Sequence, residues 1–209
     1  MVRQIDSTVN GGSKVWQARV RNMGLAAAVA LVFSPLAMPV ADPVALQAQQ
    51  VPNPCDFTTS GGYVITDALK KANFGAHGGC KNGDFWGHLN YVDHSTGYHV
   101  NSIEVTAYIA PFGEATPVRD ICGIANTNHP ADGESVFFRA RLMDNGEPGG
   151  LDQFGLKLSN GYFVSPRALG TAKPGAGNVQ LHDYNPSTLL PPVDQTLACG
   201  GLSFDTSPE

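Results

Sequence analysis

Residues 84–110 read DFWGHLNYVDHSTGYHVNSIEVTAYIA, and the fold class follows from how this stretch alternates. Successive side chains of a strand point to opposite faces, so a period of two marks a half-buried strand. Over 84–94, Phe85, Leu89 and Tyr91 share one face, while Trp86, His88, Asn90, Val92 and His94 share the other. Ser95-Thr96-Gly97 supplies a tight turn, after which 98–110 alternates through Ile103, Val105, Ala107 and Ile109. The two runs make a hairpin. Downstream, 118–125 leads through NTNHPADGE into 135–143, where Val136, Phe138, Ala140 and Leu142 face inward and Arg139 and Arg141 outward. Phe154, Leu156 and Leu158 line a further strand, and Val179 and Leu181 a last one within 177–182. Only VITDALKKANF, 64–74, offers a helical turn. Short strands at regular spacing with glycine turns predict an all-β protein, an antiparallel β-sandwich of jelly-roll or immunoglobulin-like kind.

Upstream of the strands the composition changes. Arg19 and Arg21 precede GLAAAVALVF, 24–33, an uncharged run too short to span a membrane, which takes roughly 20 apolar residues. A positive flank, a short apolar core and small residues up to Ala48 predict a secretory signal peptide over 1–48. A linker over 49–56, a β-sandwich domain over 57–185 and an irregular proline-rich tail over 186–209 complete the expected organisation. Residues 1–48 carry four basic and two acidic side chains, so the overall −5 becomes −7 for the remainder. That balance argues against nucleic acid, because neutralising phosphate supplies most of such affinity. No second apolar span follows the leader, so a product released outside the cell or into the periplasm is expected.

All four cysteines, Cys55, Cys80, Cys122 and Cys199, lie beyond the leader. An even count in an exported chain predicts two disulfides, with three possible connectivities. Spacing excludes a zinc site built on Cys-x-x-Cys. The nested pairing Cys55–Cys199 with Cys80–Cys122 is favoured, since the first bridge ties the two ends of the domain together.

The loop DNGEPGGLD, 144–152, concentrates oxygen ligands. Asp144, Asn145, Glu147 and Asp152, with glycine carbonyls, are the residue types of a calcium site, which takes six to eight oxygens. Asp-Asn-Gly, Pro148, Gly149 and Gly150 are equally the residues of a reverse turn, and the hairpin reading leads. Calcium is therefore a structural option rather than a requirement. His88 and His94 lie six residues apart, roughly 20 Å along a straight strand, and cannot share one zinc. His94 and His99, flanking the turn with Asp93, form a conceivable zinc or acid–base cluster. Asp84, Asp93, Glu104 and Asp120 are carboxylates that a glycosidase would pair across a cleft. There is no Gly-x-Ser-x-Gly elbow, Walker loop or His-Glu-x-x-His. Trp86 and Tyr98 are the candidate ligand-binding rings, because exposed aromatics stack on the apolar faces of sugars.

As a set, FGAHGGCKNGDFWGHLNYVDHSTGYHV, DNGEPGGLDQFGLKLSNGY and GNVQLH resemble a recurrent bacterial extracellular domain of the post-COAP-1 type. The resemblance covers roughly residues 57–185 and rests on YVDH and DNGEPG together. It implies a compact extracellular β-sandwich and no particular activity. The expectation is a secreted, non-catalytic protein with a binding or structural role at the cell envelope or exterior. A carbohydrate-binding module for polysaccharide and a small metallo-hydrolase at Asp93, His94 and His99 are the alternatives.

Overall fold

A computed structural model of the chain describes residues 50–170, 175–184, 189–192 and 198–204. The expected signal peptide over 1–48 lies outside the described residues. Nine strands follow in order: β1 (Phe57–Ile65), β2 (Lys71–Lys81), β3 (Asp84–Asp93), β4 (Tyr98–Ile109), β5 (Val118–Thr127), β6 (Val136–Met143), β7 (Gln153–Leu158), β8 (Phe163–Ala168) and β9 (Gly177–His182). The only helical element among the described residues is a three-residue 3-10 turn, Pro130–Asp132. The protein is all-β and antiparallel, as the alternation requires.

The strands join into one sheet of order β8-β7-β6-β5-β4-β3-β2-β1-β9, rather than two separate ones. β1 to β8 form a meander, and β9 returns to pair with β1. The sheet curls. Phe74 on β2 stacks on Phe154 of β7 with ring centres 3.9 Å apart, although four strands separate them in the order. Tyr91 of β3 lies within 6.0 Å of the same Phe154 ring. Opposite limbs of one sheet thus enclose the core that a sandwich would build from two. Val64, Leu89, Tyr91, Phe138, Leu142, Phe154 and Leu156 fill it at 0% exposure.

Local chemistry accounts for the turns. Asn82 and Gly83 both adopt positive φ, 56° and 83°, the mirror-image turn that suits a two-residue hairpin between β2 and β3. The segment expected to be a helical turn is instead the β1–β2 connection, where the Thr66 N–H and hydroxyl both donate to the Lys70 carbonyl. β4 departs from simple alternation. Register shifts at Ser102/Glu104 and Val105/Ala107 each add a residue, and a one-residue shift flips the face. Ile103 is consequently 58% exposed, Val105 joins the interior, and Ala107 and Ile109 pack on the outer side.

The disulfides are Cys55–Cys80 and Cys122–Cys199, which corrects the nested pairing Cys55–Cys199 and Cys80–Cys122. The β1–β2 register sets Phe57 opposite Gly79, which brings Cys55 beside Cys80 at a Cα separation of 6.0 Å. Cys80 belongs to the inner cluster and Cys122 to the outer one, on opposite sides of the sheet. No bridge can join them without breaking the pairing. Cys199 draws Ala198–Phe204 across the outer face of β4 to β7, so this part of the tail packs. Thr106 donates to the Ala198 carbonyl, Arg139 to the Leu202 carbonyl and Lys157 to the Ser203 carbonyl. Beneath it Asp120 accepts from Arg139 Nε and Arg141 Nε at 2.7 and 2.8 Å, all three side chains being buried. The outward arginines of the alternation therefore face the tail rather than water.

Closing a 77-residue loop removes about 4.5 kcal/mol of unfolded-state entropy, against about 3.5 kcal/mol for the 25-residue loop of Cys55–Cys80. Cys199→Ser is expected to lower the urea midpoint more than Cys80→Ser, and hydrogen exchange of β5 and β6 should rise only in the former.

Candidate functional site

Side chains capable of chemistry gather at three places, and the sheet register decides each. The first is the loop between β6 and β7. Asp144 Oδ2 accepts the Leu181 N–H at 2.8 Å, and Asp152 Oδ2 accepts the Val179 N–H at 2.6 Å. Val179 and Leu181 are two apart on β9, the strand at the sheet's edge. The remaining oxygens turn into the loop, with Asp144 Oδ1 accepting the Gly146 N–H and Asp152 Oδ1 the Asn145 N–H. Asn145 Nδ2 donates to the Leu151 carbonyl, and Glu147 Oε1 accepts from Asn178. The four candidate calcium ligands thus lie together, and the carboxylates of Asp144, Glu147 and Asp152 accept from amide groups. Burial, aided by the nearby Asp144 and Glu147, pushes the Asp152 carboxyl above its ordinary value, despite the two backbone bonds that favour its ionised form.

The second place is where β3 ends and β4 begins. Asp93 is buried; its carboxylate accepts from the Ser95 N–H and hydroxyl at 2.8 and 2.6 Å and from Tyr162 at 2.9 Å. Tyr91 and Tyr162 share a 2.7 Å hydrogen bond, and Tyr162 stacks on Tyr98 at 4.9 Å. The Tyr98 hydroxyl donates to Asp132 and accepts from Asn160. A crevice of about 360 Å³ opens over Tyr98, His129, Asp132, Asn160 and Tyr162. Burial raises the Asp93 pKa, but the hydrogen bonds from Ser95 and Tyr162 outweigh it and hold the carboxyl below its ordinary value of 3.8. Burial pushes the Tyr91 hydroxyl up to about 12. His94 instead bonds Asn73, and the His99 backbone N–H donates to Asn128. Asp93, His94 and His99 do not form one cluster. Among the described residues no group of three or more His, Cys, Asp or Glu side chains is placed to hold a metal ion.

The third place is the outer face of β9, β1, β2 and β3. Cross-strand pairing sets His182, Phe57, Gly79 and Trp86 in one row. The next row along β1 to β3 is Thr59, His77 and His88. The rings form a continuous series: His182 stacks on Phe57 at 4.4 Å, Phe57 lies 6.0 Å from Trp86, Trp86 5.6 Å from His77, and His77 6.1 Å from His88. Gly79 permits this, since a Cβ there would sit 2.5 Å from the Phe57 Cβ. His182 is held by Thr59 at 2.8 Å and His88 by Ser102 at 2.9 Å. Burial, with His88 adding to it, lowers the His77 pKa. Trp86 also borders a cleft of about 640 Å³ lined by Phe85, Ile103, Glu104, Thr106 and Pro192, into which the β4 bulge turns Ile103.

Trp86 and Tyr98 therefore belong to different sites. Trp86 is half-buried on the outer face, whereas Tyr98 closes the interior with its ring under Tyr162 and its hydroxyl bonded. Of the four carboxylates, Asp84 and Glu104 both line the Trp86 cleft, Asp93 faces Tyr162, and Asp120 is buried between two arginines. Phe57 and His77 escape a local reading because their adjacency to Trp86 needs residues 64–74 to be a strand connection rather than a helical turn, and His182 because β9 pairs with β1 from far along the chain. No family model matches the chain, and neither a curated protein nor a solved structure matches it.

A carboxyl whose folded pKa is depressed adds stability above its unfolded value and loses it as pH falls through the folded one. Asp93, and Asp132 bonded by Thr127 and Tyr98, both contribute in this sense. Melting temperature is expected to decline as pH drops below about 4. Tyr162→Phe, which removes one bond to the Asp93 carboxylate, should move that acid limb to higher pH in a melting series from pH 2.5 to 6.

Proposed function

We propose that this chain acts outside the cytoplasm as a non-catalytic binding module that stacks a flat, polar-rimmed ring, a pyranose of a polysaccharide, on Trp86. The observation that carries the reading is the register-fixed series of rings on the outer face, with an open cleft beside its central ring, Trp86. Stacking needs a rigid apolar face with hydrogen-bonding groups at its edge. Phe57 and His77 hold the Trp86 ring from one side, and Asp84, Glu104 and Thr106 offer polar atoms along the cleft.

Export and the extracellular or periplasmic setting belong to the same proposal. Two disulfides and no free cysteine among the described residues suit an oxidising compartment, and no described helix is long and apolar enough to cross a membrane. The resemblance of residues 57–185 to an extracellular domain of the post-COAP-1 type points the same way. A non-catalytic role is supported by the way the interior carboxylates are occupied: Asp93 by Ser95 and Tyr162, and Asp56 by Arg119 and Tyr108.

The test is retention on insoluble cellulose, chitin and peptidoglycan. One of these is expected to retain the protein, and Trp86→Ala should weaken retention by about 30-fold, the effect of removing a roughly 2 kcal/mol aromatic anchor. Tyr98→Phe should leave retention unchanged. Retention that survives Trp86→Ala, or none on any of the three, would refute the reading.

A further inference from the structure

We propose that His77 and His88 form a two-imidazole site for one divalent transition-metal ion on the outer face of the sheet. The residues are direct partners in the β2–β3 ladder. Side chains so paired leave the backbone with Cβ atoms about 5 Å apart. Two imidazole nitrogens each about 2 Å from one ion need ring centres only ~5–6 Å apart. The observed separation is 6.1 Å, so small rotations of the two side chains complete the approach.

The surroundings suit an ion. Among the described residues the ring nitrogens of His77 have no hydrogen-bond partner, so binding breaks nothing there. His88 Nδ1 lies 2.9 Å from Ser102 Oγ, which also accepts the Leu89 backbone N–H. With the ion on Nε2, Nδ1–H donates to that oxygen, the outer-shell contact that fixes the tautomer of a ligating histidine. Gly75, two residues from His77 on the same face of β2, leaves open space: a Cβ there would meet nothing within 4 Å. The chain supplies two ligands, and water or an external donor fills the remaining positions. Imidazole favours copper, zinc and nickel over magnesium or calcium, with copper(II) the tightest of the divalent series.

This site stands apart from ring stacking on Trp86, because its ligands are nitrogen lone pairs rather than ring faces. Copper(II) chloride titrated calorimetrically into the full chain at pH 7.5 is expected to bind at one equivalent. His77→Asn and His88→Gln should each weaken that binding at least tenfold, while His182→Asn, the imidazole bonded to Thr59, should not. Electron paramagnetic resonance should report two nitrogen donors in the native chain and one in either variant. Unchanged affinity in both variants, loss that follows His94→Asn or His99→Asn instead, or no copper uptake would each overturn the assignment. Melting of each variant at the native temperature separates a lost ligand from a lost fold.

Discussion

A curled sheet must do something with its last strand. β9 pairs only with β1, and its outward N–H groups would otherwise face a gap between the two ends of the sheet. Two carboxylates from the β6–β7 loop accept those donors, Asp152 from Val179 and Asp144 from Leu181. A buried N–H left unpaired costs about 1–3 kcal/mol, and bonds to a charged acceptor are among the stronger ones. The same region is stitched again where Leu169 donates to the Asp152 carbonyl, Gly170 to the Tyr63 carbonyl and Tyr63 to the Ala176 carbonyl. The acidic loop is thus the device that blunts an exposed edge, a position that invites pairing with other chains if left bare.

The two faces of the sheet divide the work. The inner face carries the apolar core and two tyrosine–carboxylate groups, Tyr91–Tyr162–Asp93 and Thr58–Tyr108–Asp56, the latter anchored by the buried Arg119. On the outer face of β4 to β7, the tail held by Cys199 covers Asp120, Arg139 and Arg141, with the Phe204 ring 4.5 Å from the Arg141 guanidinium. A buried ion network adds little net stability, but removing one partner strands a charge and costs several kcal/mol. On the outer face of β9 to β3 the rings of His182, Phe57, Trp86, His77 and His88 take the place of such a cover. The place of His182 in this series depends on β9 keeping its register against β1, and so on the carboxylate bonds along its free side.

Strand content, alternation and the separation of Trp86 from Leu89 and Tyr91 were legible in residues 84–94, because period two is a local property. The β4 pattern misled: nothing in NSIEVTAYIA marks the two bulges that turn Ile103 out and Val105 in. The closeness of Cys55 to Cys80 was latent in the β1–β2 hairpin, but residues 64–74 read as a helical turn, and β1 and β2 went unpaired. Asp144 and Asp152 were recognised as a chemically dense pair, yet their partners, the amides of Val179 and Leu181, lie about 30 residues away across a closure no local pattern encodes. The ring platform was hidden in part for the same reason, since His182 reaches Phe57 only through the closure of β9 on β1, and in part because 64–74 reads as a helical turn, which leaves β1 and β2 unpaired. Trp86 and His88 are neighbours on one strand, whereas Phe57, His77 and His182 reach them only through cross-strand register.

The most direct test of this account is amide hydrogen exchange at Val179 and Leu181, in calcium and in EDTA. Edge-strand amides that face solvent exchange early, whereas amides bonded to the buried Asp152 and the half-buried Asp144 open only with the sheet. Both should be protected in the native chain under either condition, and Asp152→Ala, which removes the acceptor, should expose Val179 most strongly. Rapid exchange in the native chain, or protection that collapses when EDTA removes calcium, would contradict closure by the carboxylates themselves.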